Sequence, residues 1–319
     1  MVHSIKKDKN NAFLSGNFFK KYPNETVASF FSEEYIDYIL RSLLTINNAA
    51  EADEIFLETF GTNLAMLLDN YEHIKGGSHK LFYNFSKNSN IFLEKNITSL
   101  WYQDEELKGV IVDNKEKLKY DAVVLATTAT SASKLLEKNN KKLSDNLKKV
   151  RYFPVSMLVA KYEKDVFTNK LNGYIFPRNS IISNVGVYDL EKKNYVRYTF
   201  SGREARSVLN NNYSIEELIV LAEKEFTKHS SIELPKRIDV AGRVTKQSAY
   251  SLNHQEFLED VKLNLIDSRN IYLAGDYLES TSIEGCYRSG VAVSKQILKD
   301  FESRGESENS NSETRKSII

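Results

Sequence analysis

The first part of the chain shows a helical pattern of apolar residues. Apolar side chains recur at helical spacing over residues 27–44, and a second helical candidate covers residues 54–68. A glycine pair at 76–77 then predicts a turn, and Leu81, Phe82 and Phe85 behind it are predicted to share a helix face. We therefore expect a mainly helical region up to residue 90.

After residue 90 the pattern becomes that of short strands. Each predicted strand is rich in β-branched residues and bounded by polar or turn residues: 90–97, 109–112, 122–126, 155–162, 173–176, 182–187, 196–200 and 237–244. The strand at 122–126 is apolar throughout, which is typical of a strand buried on both faces. A helix is expected to start soon after it, at Ser131. The four strands between residues 155 and 200 are predicted to form an antiparallel sheet.

The clearest helix signal lies between residues 214 and 226. Ser214 and Glu217 form a capping box, in which each side chain binds the backbone N–H of the other residue. Apolar residues follow at helical spacing: Ile215, Leu218, Ile219, Ala222 and Phe226. The order of helical and strand segments indicates that the chain alternates between two sheet-bearing regions.

The composition is that of a globular protein and excludes several functions. The 319 residues suffice for one large domain or two ordinary ones, and 41% of them are hydrophobic while 27% are charged. A formal net charge of +1 gives no global field that would favour nucleic acid or an acidic membrane. No run reaches the ~18 apolar residues of a membrane-spanning helix, and the N-terminus lacks the apolar core of a secretory signal.

The cysteine and histidine content and the C-terminal tail indicate which disulfides, metal sites and disordered segments to expect. The single cysteine, Cys286, excludes an internal disulfide and fits a reducing, cytoplasmic location. The histidines have no metal-ligand spacing, so no metal site is expected. Residues 303–319 are rich in Ser, Glu and Asn and lack aromatic residues, which predicts a disordered tail.

Two segments carry a pattern that suits a nucleotide cofactor. Asn270-Ile-Tyr-Leu-Ala-Gly-Asp276 and Tyr120-Asp-Ala-Val-Val-Leu-Ala-Thr127 are apolar strands that end in small residues. In a doubly wound sheet, small residues at the carboxyl end of a strand let a nucleotide approach the backbone closely. The segment Ser282-Ile-Glu-Gly-Cys-Tyr-Arg-Ser-Gly290 then begins a helix, whose free N–H groups and dipole favour negative charge. Within it, Glu284 and Arg288 are spaced to pair with each other.

Together these segments resemble the flavin-contact motifs of the flavin-dependent amine oxidase superfamily, which includes protoporphyrinogen oxidases and carotenoid desaturases. The resemblance covers about residues 24–300, and residues 247–254 resemble a Gln-Tyr-x-x-Gly-His stretch with Asn253 in place of glycine. It implies FAD as the cofactor and removal of hydride from a C–N or C–C bond to flavin N5. The residues that it places at the cofactor are Ile97, Ala126, Thr127, Ala274, Gly275, Asp276, Ser282, Ile283, Glu284, Gly285 and Ser289.

The implied fold class is α/β with mixed α+β character. An incomplete, doubly wound FAD-binding domain would be interleaved with a substrate domain made of an antiparallel sheet and helices. Residues 1–23 would be an N-terminal extension, 24–90 the helical part of the substrate domain, and 151–235 its sheet and helix. Residues 91–150 and 236–302 would belong to the FAD-binding domain.

The chain lacks the N-terminal unit of the family, which is a strand, a Gly-x-Gly-x-x-Gly turn, a helix and an acidic residue. No such three-glycine fingerprint occurs in the sequence. The strands at 122–126 and 272–274 are therefore expected to lack a neighbour and to leave an apolar edge. Three explanations are open: a truncated or decayed gene product, one half of a split enzyme whose partner chain carries the glycine-rich unit, or a wrongly assigned start.

Two functions from different classes stand as hypotheses. The chain is either an FAD-dependent oxidoreductase acting on a small-molecule substrate, or a non-catalytic remnant or subunit that binds no FAD alone. An NAD-dependent dehydrogenase is excluded because the dinucleotide fingerprint is missing.

No side chain can be chosen as the general base from the sequence. Tyr174, Phe176 and Tyr250 could line a substrate pocket, although core packing is favoured for each. A helix start could lower the pKa of the Cys286 thiol, but a small packed residue is the simpler interpretation.

Overall fold

The structure is a computed structural model that describes residues 22, 25–57, 59–61, 77, 79–87, 89–168, 170–249 and 254–303. The chain divides into two compact units. Unit 1 consists of Met1–Leu64 and Arg151–Leu252, and unit 2 consists of Ala65–Val150 and Asn253–Ile319. Helices and sheets are mixed along the described chain, which confirms the predicted α/β fold class with α+β character.

The secondary structure has the following bounds. The described helices are α1 Val27–Phe30, α2 Glu33–Tyr35, α3 Arg41–Asn48, α4 His79–Ser86, α5 Ala129–Leu136, α6 Lys141–Leu147, α7 Arg203–Leu209, α8 Ile215–Ser230, α9 His254–Leu265 and α10 Ile283–Ser303, with a π-helical stretch Ile36–Leu40 between α2 and α3. The strands are β1 Ile97–Gln103, β2 Glu106–Val112, β3 Glu116–Lys119, β4 Val123–Leu125, β5 Arg151–Tyr162, β6 Gly173–Ile175, β7 Asn184–Asp189, β8 Lys192–Phe200, β9 Arg237–Ala249 and β10 Ile271–Leu273.

The helical pattern over residues 27–44 is interrupted in the structure. Thr26 and Ser29 form a capping box that starts α1, and the extended backbone of Phe31 ends this helix after one turn. Ser32 then caps α2 through its hydroxyl, and the chain continues through the π-helical stretch into α3. Of the apolar residues at helical spacing, Val27, Ile36, Leu40 and Leu44 are buried, whereas Phe30 and Ile39 are exposed. The pattern therefore identified part of the buried side of this region but not the break.

Unit 1 is built on a five-stranded sheet with the order β6–β7–β8–β5–β9. All its neighbouring strands are antiparallel, which confirms the predicted sheet. Strand β9 pairs with β5 from Arg151 to Tyr162 and therefore belongs to the sheet of unit 1. The sequence analysis grouped residues 236–302 together, because local patterns do not reveal which strand accepts the hydrogen bonds of another.

Helix α8 covers one face of this sheet. The capping box of Ser214 and Glu217 is present, as predicted. On the sheet side, alternate residues of β5 are buried, namely Leu158, Ala160 and Tyr162. On the helix side, the residues of α8 at helical spacing are buried, namely Leu218, Ile219, Ala222 and Phe226. These residues belong to one buried hydrophobic cluster, which is the core of unit 1. Each large apolar side chain in it contributes ~1.5–3 kcal/mol when fully buried.

Unit 2 contains two small sheets. Strands β1, β2 and β3 form an antiparallel sheet, and β4 and β10 form a parallel pair. The strand predicted over residues 90–97 is wrong, because residues 90–96 are irregular and β1 starts only at Ile97. Ile91, Phe92 and Leu93 are 59%, 61% and 79% exposed. Apolar residues form a strand only where a neighbour accepts their backbone hydrogen bonds, and no described strand pairs with this segment.

Some sequence predictions fall on residues outside the described ranges. These are the end of the second helical candidate at 62–68, Gly76 of the turn, Tyr250, Asn253 and the tail from residue 304 onwards. Helix α4 confirms the helix predicted after the turn. None of the described helices is both long and apolar enough to cross a membrane. Within the same described ranges, His, Cys, Asp and Glu residues form no group that could hold a metal ion.

Candidate cofactor site in unit 2

The two small-residue strands lie side by side in the parallel pair. Val123, Val124 and Leu125 of β4 are opposite Ile271, Tyr272 and Leu273 of β10. The pairing continues past the strand ends, because the N–H of Ala274 donates to the carbonyl of Leu125 at 3.2 Å. Parallel strands present their carboxyl ends at the same edge, so Ala126 and Thr127 come next to Ala274 and Gly275.

Gly275 occupies a position that admits no side chain. A Cβ atom there would lie 2.8 Å from Cε1 of Tyr277 and 3.7 Å from the carbonyl oxygen of Thr127. Tyr277 is fully buried and cannot move aside easily. The backbone N–H of Gly275 donates to the hydroxyl of Ser289 at 3.1 Å. This hydrogen bond holds the end of β10 against helix α10, in which Ser289 is buried.

A tight serine turn forms the start of α10. The Ser282 hydroxyl accepts the N–H of Gly285 at 3.0 Å, and the hydroxyls of Ser280 and Ser282 are 2.6 Å apart. A Cβ atom on Gly285 would lie 2.4 Å from Oγ and 2.5 Å from the carbonyl oxygen of Ser280. The glycine is therefore needed for close contact with the turn. Gly290, five residues further along, has no atom within 4 Å of its Cβ position.

The two charged positions at the start of α10 have different environments. Glu284 is exposed, and its carboxylate accepts a hydrogen bond from Arg288 Nε at 2.7 Å, which confirms the predicted i, i+4 pair. Asp276 is half-buried and lies close enough to Cys286 to affect it. Cys286 is an exposed residue, so the interpretation as a small packed residue is wrong. Partial desolvation of its thiol, followed by the Asp276 carboxylate, raises the pKa of this thiol, and the suggestion that the helix start lowers this pKa is wrong as well.

The structure brings the ends of β4 and β10 together and ties Gly275 to Ser289 of α10, while residues 282–285 form the serine turn and the first turn of that helix. Ile97 belongs to a different sheet. Ile97 begins β1 and pairs with Val112 in the antiparallel sheet. The sequence analysis also missed two residues that shape the site, Tyr277 and Ser280, which are 0% and 1% exposed. A single sequence carries no signal for them, because their role depends on the glycines that they contact in three dimensions.

The aromatic residues considered for a substrate pocket belong to the core of unit 1. Phe176 is 2% exposed and lies 6.3 Å from Phe226 between ring centroids. Tyr174 packs on the same ring at 6.4 Å. Core packing, the interpretation favoured from the sequence, therefore describes both residues.

His254 is enclosed at the start of α9. Its side chain is 2% exposed, and its ring centroid is 5.3 Å from that of Phe257. Burial lowers the pKa of the imidazole to about 3, because a charged ring would lose its hydration. The folded protein therefore keeps this histidine neutral at pH 7.

This burial predicts a loss of stability in mild acid. The unfolded chain protonates His254 near its ordinary pKa of 6.5, whereas the folded chain does so only near 3. Between these values the unfolded state binds more protons, so the free energy of unfolding falls as the pH falls. Through this residue alone, we expect a loss of about 2 kcal/mol between pH 7 and pH 5.

Urea unfolding followed by the fluorescence of the single tryptophan, Trp101 in β1 of unit 2, measures this loss. The His254→Leu variant should lack about 2 kcal/mol of the wild-type pH dependence, whereas the exposed control His79→Gln should retain it. An unchanged pH dependence in His254→Leu would assign the acid sensitivity to other groups.

Comparisons with known proteins assign the chain to a family. A model of the flavin-containing amine oxidoreductase family matches residues 12–298. The chain therefore belongs to the flavin-containing amine oxidoreductase family. No curated protein matched the chain in a sequence comparison.

Among solved structures, the chain is similar to a crystal structure from Exiguobacterium sp. 255-15 described as a "putative protoporphyrinogen oxidase". The TM-score is 0.66, and the sequences are 14% identical. The match covers 84% of this chain and 64% of that one, so this chain spans less than two thirds of its length. At this identity, the similarity shows a shared fold.

Proposed function

We propose that the chain provides part of an FAD site in an oxidoreductase of the amine oxidase type, which removes hydride from a C–N or C–C bond of a small molecule. The observation that carries the proposal is the parallel pair β4–β10, whose end is tied to α10 by the bond from Gly275 to Ser289. In open α/β sheets, ligands bind at the carboxyl ends of parallel strands. Membership of a flavin-containing family supports a flavin as this ligand.

Each part of the site would hold a different part of the cofactor. Ala126 and Thr127 are small and exposed, which leaves room for the adenine end. Gly275 would allow the pyrophosphate to approach the backbone, and the Asp276 carboxylate would accept hydrogen bonds from ribityl hydroxyls. The first turn of α10, residues 282–285, would direct its dipole towards the flavin edge that gains negative charge on reduction. Bound there, FAD would supply the hydride acceptor at N5.

The visible absorption spectrum of the purified chain, before and after incubation with FAD and desalting, tests this proposal. We expect a retained flavin band in the wild type and FAD binding about tenfold weaker or less in Ala126→Leu, because the added side chain fills the exposed strand end. The control Asn139→Leu adds an exposed leucine near the opposite end of α5 and should bind FAD normally. Equal affinities in the two variants would remove the strand end from the site.

A second candidate function is that of a subunit that binds FAD only with a partner chain. The observation in its favour is that no third strand pairs with β4 or β10 among the described residues. Helix α10 also exposes Ile283, Tyr287 and Leu298 by 57%, 53% and 60%, and the space beside Gly290 is open. A strand–turn–helix segment rich in glycine would pair with the sheet edge and cover this helix face.

The same spectrum separates the two candidates. A wild-type chain that retains FAD by itself contradicts the need for a partner. A folded chain that retains no flavin and self-associates through its apolar surfaces contradicts autonomous activity and supports the second candidate.

A further inference from the structure

The five-stranded sheet of unit 1 has a second face, opposite to the core. Residues paired directly across an antiparallel sheet point to the same side, and successive residues alternate. On β5 the buried side contains Leu158 and Ala160, so Met157, Val159 and Lys161 point to the other side. We call this second side the open face. Its central part, from the strand register, contains Val155, Met157, Val159, Lys161, Ile175, Asn184, Tyr195, Arg197, Thr199, Asp239, Ala241, Arg243 and Thr245, with Gly173 and Gly186. The same side continues along β5 to Phe153 and Arg151.

The open face is apolar in part and accessible in part, because its members Asn184 and Thr199 are buried. Met157 is 47% exposed and Ile175 is 58% exposed, and Val155 and Val159 are half-buried. Arg197 lies opposite Val159, and Arg243 lies opposite Met157. Two guanidinium groups therefore flank the apolar residues of the central strand.

The charges of the open face are unbalanced. Its central part contains three cations, Lys161, Arg197 and Arg243, and one acid, Asp239, which is opposite Lys161 in the register. None of the three cations has a carboxylate within ion-pair distance among the described residues, and neither does Arg151 at the end of β5, which donates to the carbonyl of Glu54. Five other arginines of unit 1 do have such partners: Arg41 with Glu51, Arg178 with Asp37, Arg203 with Asp53, Arg206 with Glu54 and Arg237 with Glu223.

Arg197 is the cation of the open face whose hydrogen bonding is least complete. Its guanidinium donates one hydrogen bond, from Nη2 to Oδ1 of Asn184 at 3.3 Å. Its Nε is fully buried and has no hydrogen-bond partner among the described residues. Burial lowers the pKa of the guanidinium below its ordinary value. A half-buried cation without an anion loses hydration and regains little, so this arrangement costs stability.

A bound anion would offset this cost. A carboxylate matches the fork of donors on a guanidinium, and the resulting pair is strongest where water is excluded. The apolar surface of Met157 and Val159 on the strand next to Arg197 suits a ligand with an apolar body. A simple amine would instead meet three positive charges, and a neutral hydrocarbon would leave the guanidinium unpaired.

We propose that the open face binds an organic acid, whose apolar body lies on Met157 and Val159 and whose carboxylate pairs with Arg197, with Arg243 as a second contact. This binding site is independent of the proposed FAD site.

Titration of the purified chain with three probes that share one apolar body tests the site. The probes are 4-phenylbutanoate, 4-phenylbutylamine and 4-phenylbutan-1-ol, with binding followed by NMR chemical shifts. We expect the acid to bind about tenfold more tightly than the amine or the alcohol, because only the acid forms a charge-assisted pair. Similar affinities for the three probes would overturn the proposal.

Variants assign the binding to Arg197. Arg197→Met should weaken binding of the acid by about tenfold or more. Arg197→Lys should weaken binding less, because the positive charge remains while the paired donors of the guanidinium are lost. The control Arg269→Met removes an exposed charge of unit 2 and should leave the affinity unchanged. An equal loss in Arg197→Met and Arg269→Met would show a general charge effect and overturn the assignment.

Stability separates a binding role from a structural one. Without a probe, the urea midpoint of Arg197→Met should equal or exceed that of the wild type, because the variant removes an unpaired, half-buried cation. A lower midpoint would assign a structural role to Arg197 and overturn the proposal. The titration needs no flavin, so a chain that binds the acid but no FAD supports this site and contradicts only the proposed FAD site.

Discussion

Replacing Glu51 with alanine is expected to lower the free energy of unfolding of unit 1 by about 3–5 kcal/mol. Arg41 and Glu51 are 3% and 8% exposed, and their side chains form two hydrogen bonds of 3.0 and 3.2 Å. Arg41 also donates to the carbonyl of Phe176 at 2.8 Å. Removal of the carboxylate leaves a buried guanidinium without its anion, and this charge has no route to solvent.

The effect extends beyond the ion pair. Glu51 Oε1 also accepts the N–H of Arg203 at the start of α7, at 3.3 Å. Gly202 precedes this residue with a φ of +91°, and a Cβ atom there would lie 2.5 Å from Glu51 Oε1. The carboxylate therefore connects the segment after α3 to the start of α7, and both connections are lost together in the variant.

The neighbouring carboxylate of Asp53 provides a matched control. Asp53 pairs with Arg203 at 2.7 Å, but both side chains are more than half exposed. Asp53→Ala should therefore cost less than about 1 kcal/mol. Urea unfolding followed by far-UV circular dichroism and by Trp101 fluorescence separates unit 1 from unit 2. Equal losses in the two variants would contradict the role of burial, and so would a Glu51→Ala loss below about 1 kcal/mol.

Replacing Gly285 with valine is expected to destabilise unit 2 by about 3 kcal/mol, at the upper end of the cost of overpacking. The Cβ position of Gly285 lies 2.4, 2.5 and 2.8 Å from Oγ, O and N of Ser280. Two of these atoms belong to the backbone, so a side-chain rotation cannot relieve the collision. The turn before α10 must then move, and the hydrogen bond from Gly285 to Ser282 is strained.

Gly290 is the matched control, because it lies in the same helix with open space around its Cβ position. Gly290→Val should change the free energy of unfolding by no more than about 0.5 kcal/mol, since valine is a slightly better helix former than glycine. Urea unfolding monitored by Trp101 fluorescence measures both variants. If both variants lose the same stability, the cost belongs to the helix and the contact with Ser280 is not its cause.

Predictions from the sequence succeeded where the signal is local. Ser214 and Glu217 are three residues apart, and their capping box starts α8 as expected. Glu284 and Arg288 are one helical turn apart, and they pair. In both cases the interacting groups are brought together by the helix itself, so no knowledge of the rest of the chain is needed.

Predictions failed where the result depends on remote residues. The apolar run at 91–93 has the composition of a strand, but no described strand pairs with it, and it is irregular and exposed. Cys286 lies near a helix start, which would lower the pKa of its thiol, but partial desolvation and the carboxylate of Asp276 raise this pKa. In each case the neighbours that decide the outcome are not adjacent in sequence.

Local sequence alone specified the apolar faces, the helix caps and the small residues at the ends of β4 and β10. Only the tertiary structure decided that β9 completes the sheet of unit 1 and that Ser280 makes Gly285 indispensable. It also decided that Arg41 pairs with a carboxylate, whereas Arg197 meets none in the described part of the chain. The physical reason is the range of the interactions. Dihedral preferences and caps act over a few residues, whereas strand pairing, packing and the solvation of a charge depend on every group that folding brings near.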